Sequence, residues 1–157
     1  MKKLFLTLVT LALSLTVAAT DNNWKSYMSY HKVTNSIPVG NKVYTLAGGS
    51  LFSYSFGDTK VQAYSKFLGL SSTNITSLAY CEELQKFLLI YEDFNIDLFG
   101  LNDSIINIPQ YKNSSFSDKT INDVTIMGHE AFLSTTFGVI VINLKKAEFT
   151  NVYELGT

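Results

Sequence analysis

The sequence predicts an all-β protein, a partial β-propeller of about three four-stranded antiparallel blades. Two stretches carry apolar or aromatic residues at identical offsets, and a third repeats the pattern with a short insertion around Cys81–Lys86. Each stretch holds four short apolar segments rich in β-branched and aromatic residues, which is typical of strands. A period of about 45 residues with four strands in each period is typical of propeller blades.

The repeat is carried by five positions in each stretch. They are Val33, Tyr44, Leu51, Tyr54 and Val61; Ile75, Leu89, Ile96, Phe99 and Ile106; and Ile121, Phe132, Val139, Ile142 and Phe149. One such sheet cannot bury both of its faces, so blades stack and cover one another. Their strands then lose the alternation of apolar and polar residues, and Phe87–Ile90 and Val139–Ile142 are apolar throughout.

Residues 1–19 are predicted to be a secretory signal peptide. Lys2 and Lys3 give it a positive start, an apolar run extends to Leu15, and Val17–Ala19 offers small residues for cleavage. The alternative is an uncleaved membrane anchor, although the apolar run is shorter than the ~20 residues that span a bilayer. We therefore expect an exported mature chain, residues 20–157, that forms the N-terminal part of a propeller domain.

The pattern predicts three blades, at about residues 33–64, 75–108 and 121–154. The predicted strands are 33–37, 42–47, 50–54 and 60–64; 75–80, 87–91, 95–99 and 105–108; and 121–127, 130–134, 139–144 and 149–154. Gly48 and Gly49 are expected to form a two-residue hairpin, because glycine tolerates the positive φ that this turn needs. Residues 100–104 and Gly128–His129 make further turns, and Pro109 ends an outer strand, where proline is tolerated.

Two polar, serine-rich connections, residues 67–74 and 111–120, join the blades, and we expect them at one end of the propeller, where loops often carry function. Four tyrosines lie near predicted strand ends or connections and are our candidates for a binding surface at that end. They are Tyr27, Tyr30, Tyr64 and Tyr111. Residues 24–30 are expected to form a lone strand that completes the last blade of a closed ring.

Closure of the ring requires more blades than the sequence supplies, since propellers have about 4–8. Two uncovered blade faces would expose apolar patches of a size that indicates a missing partner. We therefore expect a fragment whose remaining blades come from downstream sequence. Closure by oligomerisation is the alternative.

Composition argues against several functions. All twelve basic residues are lysines and the formal net charge is −1, or −3 without Lys2 and Lys3. No arginine fork is available for phosphates or base edges, so nucleic acid is not an expected partner. Cys81 is the only cysteine, which excludes an intrachain disulfide. It is predicted to be an unreactive loop residue beside Glu82 and Glu83, because negative charge disfavours the thiolate.

The motifs of the sequence predict no catalytic residue, metal site or cofactor. His31 and His129 have no acidic or cysteine neighbour at the spacing of zinc ligands. Asp93–Asp97 places oxygens at alternate positions but lacks the glycine and distal glutamate of an EF-hand, so turn chemistry is favoured over calcium binding. Glu82–Glu83 and Glu92–Asp93 are adjacent loop carboxylates, which rarely take the facing geometry of a glycosidase pair.

Residues 131–144, AFLSTTFGVIVINL, resemble the blade motif of two-component-regulator propellers. Together with the signal peptide, Trp24, Asn95–Leu98 and Ile106–Pro109, the chain resembles the start of PorZ-like type IX secretion proteins of Bacteroidota. That resemblance implies two propellers and a C-terminal β-sandwich, and a location in the periplasm or at the outer-membrane surface. It also implies a sortase-like partner that attaches cargo to anionic lipopolysaccharide.

The first functional hypothesis is therefore a non-enzymatic scaffold of the type IX secretion attachment complex. A second is the extracellular sensor propeller of a hybrid two-component regulator that binds an oligosaccharide. A third is a propeller glycosidase or lyase, which should show convergent carboxylates and arginines. The absence of arginine makes this third hypothesis the weakest.

Overall fold

The computed structural model describes residues 31–154, which form three four-stranded antiparallel sheets, one for each predicted blade. This confirms the all-β class and the partial propeller. The predicted signal peptide, the strand at 24–30, Tyr27 and Tyr30 lie outside the described residues. No helix within residues 31–154 has the length and apolar character needed to cross a membrane.

Strand order follows the chain within every sheet. The first sheet contains β1 (Val33–Val39), β2 (Lys42–Ala47), β3 (Ser50–Ser55) and β4 (Val61–Tyr64); the second contains β5 (Ile75–Cys81), β6 (Lys86–Tyr91), β7 (Ile96–Gly100) and β8 (Ile105–Asn107); the third contains β9 (Ile121–Met127), β10 (Glu130–Thr135), β11 (Gly138–Asn143) and β12 (Glu148–Glu154). A 3-10 helix, Lys66–Leu68, lies between β4 and β5. Every strand predicted for the three blades is present, with bounds shifted by at most two residues.

The turns explain the insertion in the middle repeat. Gly48 and Gly49 have φ of 53° and 75° and close the predicted two-residue hairpin between β2 and β3. In the second sheet the β5–β6 turn spans residues 82–85, whereas Gly128–His129 suffice in the third. The β6–β7 turn, residues 92–95, is longer in the same way, so the extra residues are shared between two hairpins.

The core consists of two layers, one on each side of the second sheet. The layer against the first sheet contains Tyr44, Leu46, Leu51, Tyr64, Leu70, Ile75, Leu78, Phe87, Leu89, Tyr91 and Phe99. The layer against the third contains Cys81, Leu88, Ile90, Ile96, Leu98, Ile108, Tyr111, Ala131, Leu133, Ile140, Ile142 and Leu144. Because the second sheet is covered on both faces, the continuous apolar run Phe87–Ile90 is buried throughout.

The two ends of strand β5 mark two ends of the sheets, which carry different loops. At its start, the Ile75 backbone N–H donates to the Gly49 carbonyl at 2.8 Å. At its finish, the Cys81 thiol lies 3.3 Å from the Gly128 carbonyl oxygen. We call the first the connection end, because it carries both inter-blade connections, and the second the hairpin end. The prediction that both connections share one end is confirmed by Asp93, which contacts both of them.

Candidate interaction surface

The first connection, residues 65–74, begins with a closed turn. The Ser65 carbonyl accepts a hydrogen bond from the Leu68 N–H at 2.9 Å, and the Lys66 carbonyl accepts one from the Gly69 N–H at 3.1 Å. Gly69 ends the turn with φ of 100°, a conformation that side chains rarely adopt. The turn therefore has a defined shape instead of being an open loop.

This turn presents two apolar side chains to solvent. Phe67 is fully exposed and Leu68 is 53% exposed, whereas Leu70 is buried in the core. Single exposed apolar residues are common on protein surfaces, but an adjacent Phe–Leu pair on a closed turn is a candidate contact surface. We call Phe67 and Leu68 the apolar knob.

A cleft of about 340 Å³ adjoins the knob, between the first two sheets at the connection end. It is lined by Gly49, Ser50, Tyr64, Ser65, Lys66, Phe67, Leu70, Ser72, Thr73, Asn74 and Ile75. Tyr64, Leu70 and Ile75 are buried, and the remaining wall combines the Phe67 ring and the Lys66 side chain with serine, threonine and asparagine residues. A cleft of this size with mixed walls can receive a small group or a partner's side chain.

The base of the connection is fixed by Asp97, a fully buried residue of β7. Its carboxylate accepts the Ser71 backbone N–H at 2.8 Å and the Ser71 hydroxyl at 2.6 Å. It also accepts the Tyr91 hydroxyl at 2.6 Å and the Asn107 amide at 2.9 Å. Burial raises the pKa of Tyr91, and the hydrogen bond to Asp97 raises it further. The buried Asp97 side chain thus accepts four hydrogen bonds, as a buried polar group requires.

A second carboxylate, Asp93, joins the two connections. Its Oδ2 lies 2.7 Å from the Ser72 hydroxyl and 2.7 Å from Lys112 Nζ, and its Oδ1 accepts the Asn95 N–H. Partial burial would raise the pKa of Asp93, but these hydrogen bonds outweigh it and the pKa is lowered. Residues 92–95 form a turn, which confirms turn chemistry for the first part of Asp93–Asp97, whereas Asp97 lies in strand β7. In residues 31–154, no three His, Cys, Asp or Glu side chains are grouped to hold a metal.

The two predicted surface tyrosines within the described residues are buried. Tyr64 is 3% exposed, and its hydroxyl is hydrogen-bonded to Ser53 Oγ at 3.1 Å, so it contributes only to the cleft lining. Tyr111 is completely buried, which contradicts the prediction that it lines a surface. The reason is that its segment folds inward, where its ring packs against Phe94 and Phe149.

Cys81 also differs from its prediction. It is the last residue of β5 and is 1% exposed, not a loop residue, because it belongs to the core layer that packs against the third sheet. At the same hairpin end, His129 Nδ1 lies 3.8 Å from Glu83 Oε1, which the separation of the two residues in sequence did not suggest. Glu82, Glu83 and Glu92 are exposed, as predicted for turn carboxylates, and His31 is exposed.

Phe67 and Asp97 are the residues that the sequence analysis missed. Phe67 interrupts an otherwise polar connection directly before Leu68 and Gly69, a signal that could have marked an exposed turn. Asp97 alternates with Ile96 and Leu98 inside a buried strand, where a carboxylate needs internal partners. Its partners Ser71 in the connection and Asn107 in β8 could not be identified from residue spacing alone.

Comparisons with known proteins agree on the fold. The family model for the N-terminal β-propeller domain of PorZ in type IX secretion matches residues 43–157. The solved structure of PorZ from Porphyromonas gingivalis, described as an essential bacterial surface component of the type IX secretion system, is similar with a TM-score of 0.75 and 29% identity. The match covers 80% of this chain and 17% of that one.

More distant structures share the fold alone. AztD from Citrobacter koseri matches with a TM-score of 0.57 and 15% identity, covering 79% of this chain and 34% of that one. The N-terminal domain of Nup159 matches with a TM-score of 0.56 and 8% identity, covering 80% and 32%. No curated protein sequence matches significantly.

Proposed function

The chain belongs to the family of PorZ N-terminal β-propeller domains of type IX secretion, and we propose that it is a non-enzymatic module that positions other secretion components at the cell surface. The observation that carries this proposal is the family match over residues 43–157, together with the similarity to the surface component from P. gingivalis. The chain spans 17% of that protein, so the role of the whole protein is part of the proposal.

The scaffold role is supported by how firmly the connection end is held. Asp97 anchors the first connection and Asp93 joins it to the second, so hydrogen bonds tie both loops to the second sheet. A surface that is ordered before binding loses less conformational freedom when a partner docks. We propose that the partners include a sortase-like subunit that attaches cargo to anionic lipopolysaccharide, and that the protein is exported to the periplasm or outer-membrane surface.

The non-enzymatic character is supported by the state of the carboxylates. Asp97 is buried and fully hydrogen-bonded, and the exposed Glu82, Glu83 and Glu92 lie in turns. A glycosidase needs two carboxyl groups that face each other across a bound sugar, one of them with a raised pKa. The pKa of Asp93 is lowered instead, by its hydrogen-bond donors.

Deletion of the gene in the cells that encode it tests the proposal. We expect cargo proteins to accumulate in the periplasm, and the complete protein supplied in trans to restore their display at the surface. Affinity purification of the complete protein should recover other secretion components. Normal cargo display after deletion, together with tight oligosaccharide binding by the purified protein, would instead support the sensor hypothesis.

A further inference from the structure

The most exposed aromatic side chain within residues 31–154 lies on a preformed turn. Phe67 is fully exposed and Leu68 is 53% exposed, whereas the next most exposed aromatic residues, Phe56 and Tyr153, are 62% and 58% exposed. We propose that this apolar knob inserts into an apolar recess of a protein partner that presents an acidic side chain beside it. This inference rests on the proposed function and names the surface that would carry it.

The knob is held outward by its surroundings. The turn is closed by hydrogen bonds to the Ser65 and Lys66 carbonyls. Leu70 then enters the core, and Ser71 is bound to Asp97 at the base. Gly69 packs close to the second sheet, because a Cβ there would lie 3.2 Å from Ile105 Cδ1. Phe67 therefore cannot turn into the core without breaking this anchorage, and little order has to be gained on binding.

The charge beside the knob indicates what the partner presents. Lys66 is the only charged residue in the segment 65–74, and within the described part of the chain it takes part in no ion pair. The nearby Asp93 carboxylate is already balanced by Lys112. An acidic side chain at the edge of the partner's recess would therefore complement Lys66 and fix the orientation of docking.

A protein suits this surface better than a membrane does. Two side chains bury less apolar area than a single myristoyl chain, which alone binds membranes only marginally, and one lysine adds little attraction to anionic lipid. Protein interfaces, in contrast, concentrate affinity in a few residues that fill pockets. The adjoining cleft of about 340 Å³ also gives a partner's side chain a place to enter in return.

Site-specific photo-crosslinking in the complete protein, in the cells that encode it, tests this surface. A photoreactive phenylalanine replaces Phe67, and a matched control replaces Met127, which is 67% exposed and lies at the hairpin end. We expect position 67 to give one discrete adduct with a type IX secretion protein, mapped to a recess bordered by Asp or Glu. Position 127 should give no such adduct.

Substitution provides the second readout. We expect Phe67→Ser to reduce recovery of that same secretion protein at least tenfold and Met127→Ser to change it less than twofold, with both variants as stable as the parent in urea. Adducts only with lipid, equal adducts at both positions, or none at 67 while the secretion complex still co-purifies would overturn the knob and leave the proposed function standing. Failure to recover any secretion component would overturn both.

Discussion

Ser71 donates two hydrogen bonds to the buried carboxylate of Asp97, one from its backbone N–H at 2.8 Å and one from its hydroxyl at 2.6 Å. This pair joins the connection that follows the first sheet to β7, an inner strand of the second sheet. It ties a loop that carries the exposed Phe67 to a residue with no exposed surface. The position of the knob therefore depends on hydrogen bonds to a buried residue of the second sheet.

Replacement of Asp97 by alanine should show this dependence. We expect Asp97→Ala to lower the free energy of unfolding by about 3–5 kcal/mol, because donors from Ser71, Tyr91 and Asn107 would be left unpaired in the core. Urea unfolding measures the change. Trypsin cleavage after Lys66 should also become faster, since the connection loses its anchor.

The control for this substitution is Asp123→Ala in strand β9, where the side chain is exposed. A change within about 0.5 kcal/mol is expected there. If the two variants were equally stable, the Asp97 network would not hold the connection.

Repetition made the architecture predictable from the sequence. Val33 and Ile121 open equivalent strands, and the matched spacing that follows them located every strand within the described residues. Burial of both faces of the second sheet was predicted as well, because Phe87–Ile90 contains no polar residue. Periodicity reports which residues share a sheet, and in this protein that was enough to determine the fold.

The surface could not be predicted in the same way. Tyr64 and Tyr111 lie near strand ends in the sequence, yet both are buried. Tyr64 is in β4 and its ring packs against Phe99 of the second sheet, whereas Tyr111 belongs to a connection that folds inward onto Phe94 and Phe149. The partners of Asp97 come from three separate segments, at Ser71, Tyr91 and Asn107. Such contacts depend on how the sheets and connections pack, and the spacing of residues along the sequence does not reveal that packing.

Tyr111 offers a gain in stability. Its hydroxyl is buried and makes no hydrogen bond within the described part of the chain. We expect Tyr111→Phe to raise the free energy of unfolding at neutral pH by about 1 kcal/mol, because an unsatisfied buried hydroxyl is removed and the ring contacts remain. The matched control is Tyr64→Phe, which loses the hydrogen bond to Ser53 and should lower stability by about 1 kcal/mol. A destabilised Tyr111→Phe variant would show that the hydroxyl has a partner after all.

Alkaline pH should destabilise the protein through its buried tyrosines. Burial raises the pKa of Tyr44 to about 12, with a further contribution from Tyr64, and burial raises the pKa of Tyr111 to about 12. The folded state favours the neutral phenol, so this stabilisation is complete below the unfolded value near 10 and is lost as the pH rises to about 12. The raised pKa of each of these two tyrosines can contribute up to about 3 kcal/mol to the free energy of unfolding.

Urea unfolding at pH 8, 10 and 11 measures this loss. Stability should fall over that range, and Tyr44→Phe should make the decline shallower, because one of the titrating groups is gone. An identical decline in the variant and the parent would assign the effect to other residues.

Gly138 should be the least replaceable glycine in the third sheet, because it starts β11 directly against the end of β12. A Cβ at this position would lie 2.0 Å from the Tyr153 carbonyl oxygen, which is backbone and cannot move without breaking the pairing of the two strands. Thr135 Oγ1 also forms hydrogen bonds with both the N–H and the carbonyl of Gly138, which hold the glycine in this position.

We expect Gly138→Ala to lower the free energy of unfolding by about 3 kcal/mol or more and to speed hydrogen exchange in β12. Gly57→Ala is the matched control, since its Cβ would meet only the Asn41 amide at 3.5 Å and stability should change little. Equal stability of the two variants would mean that β12 does not pair with β11 in the observed register.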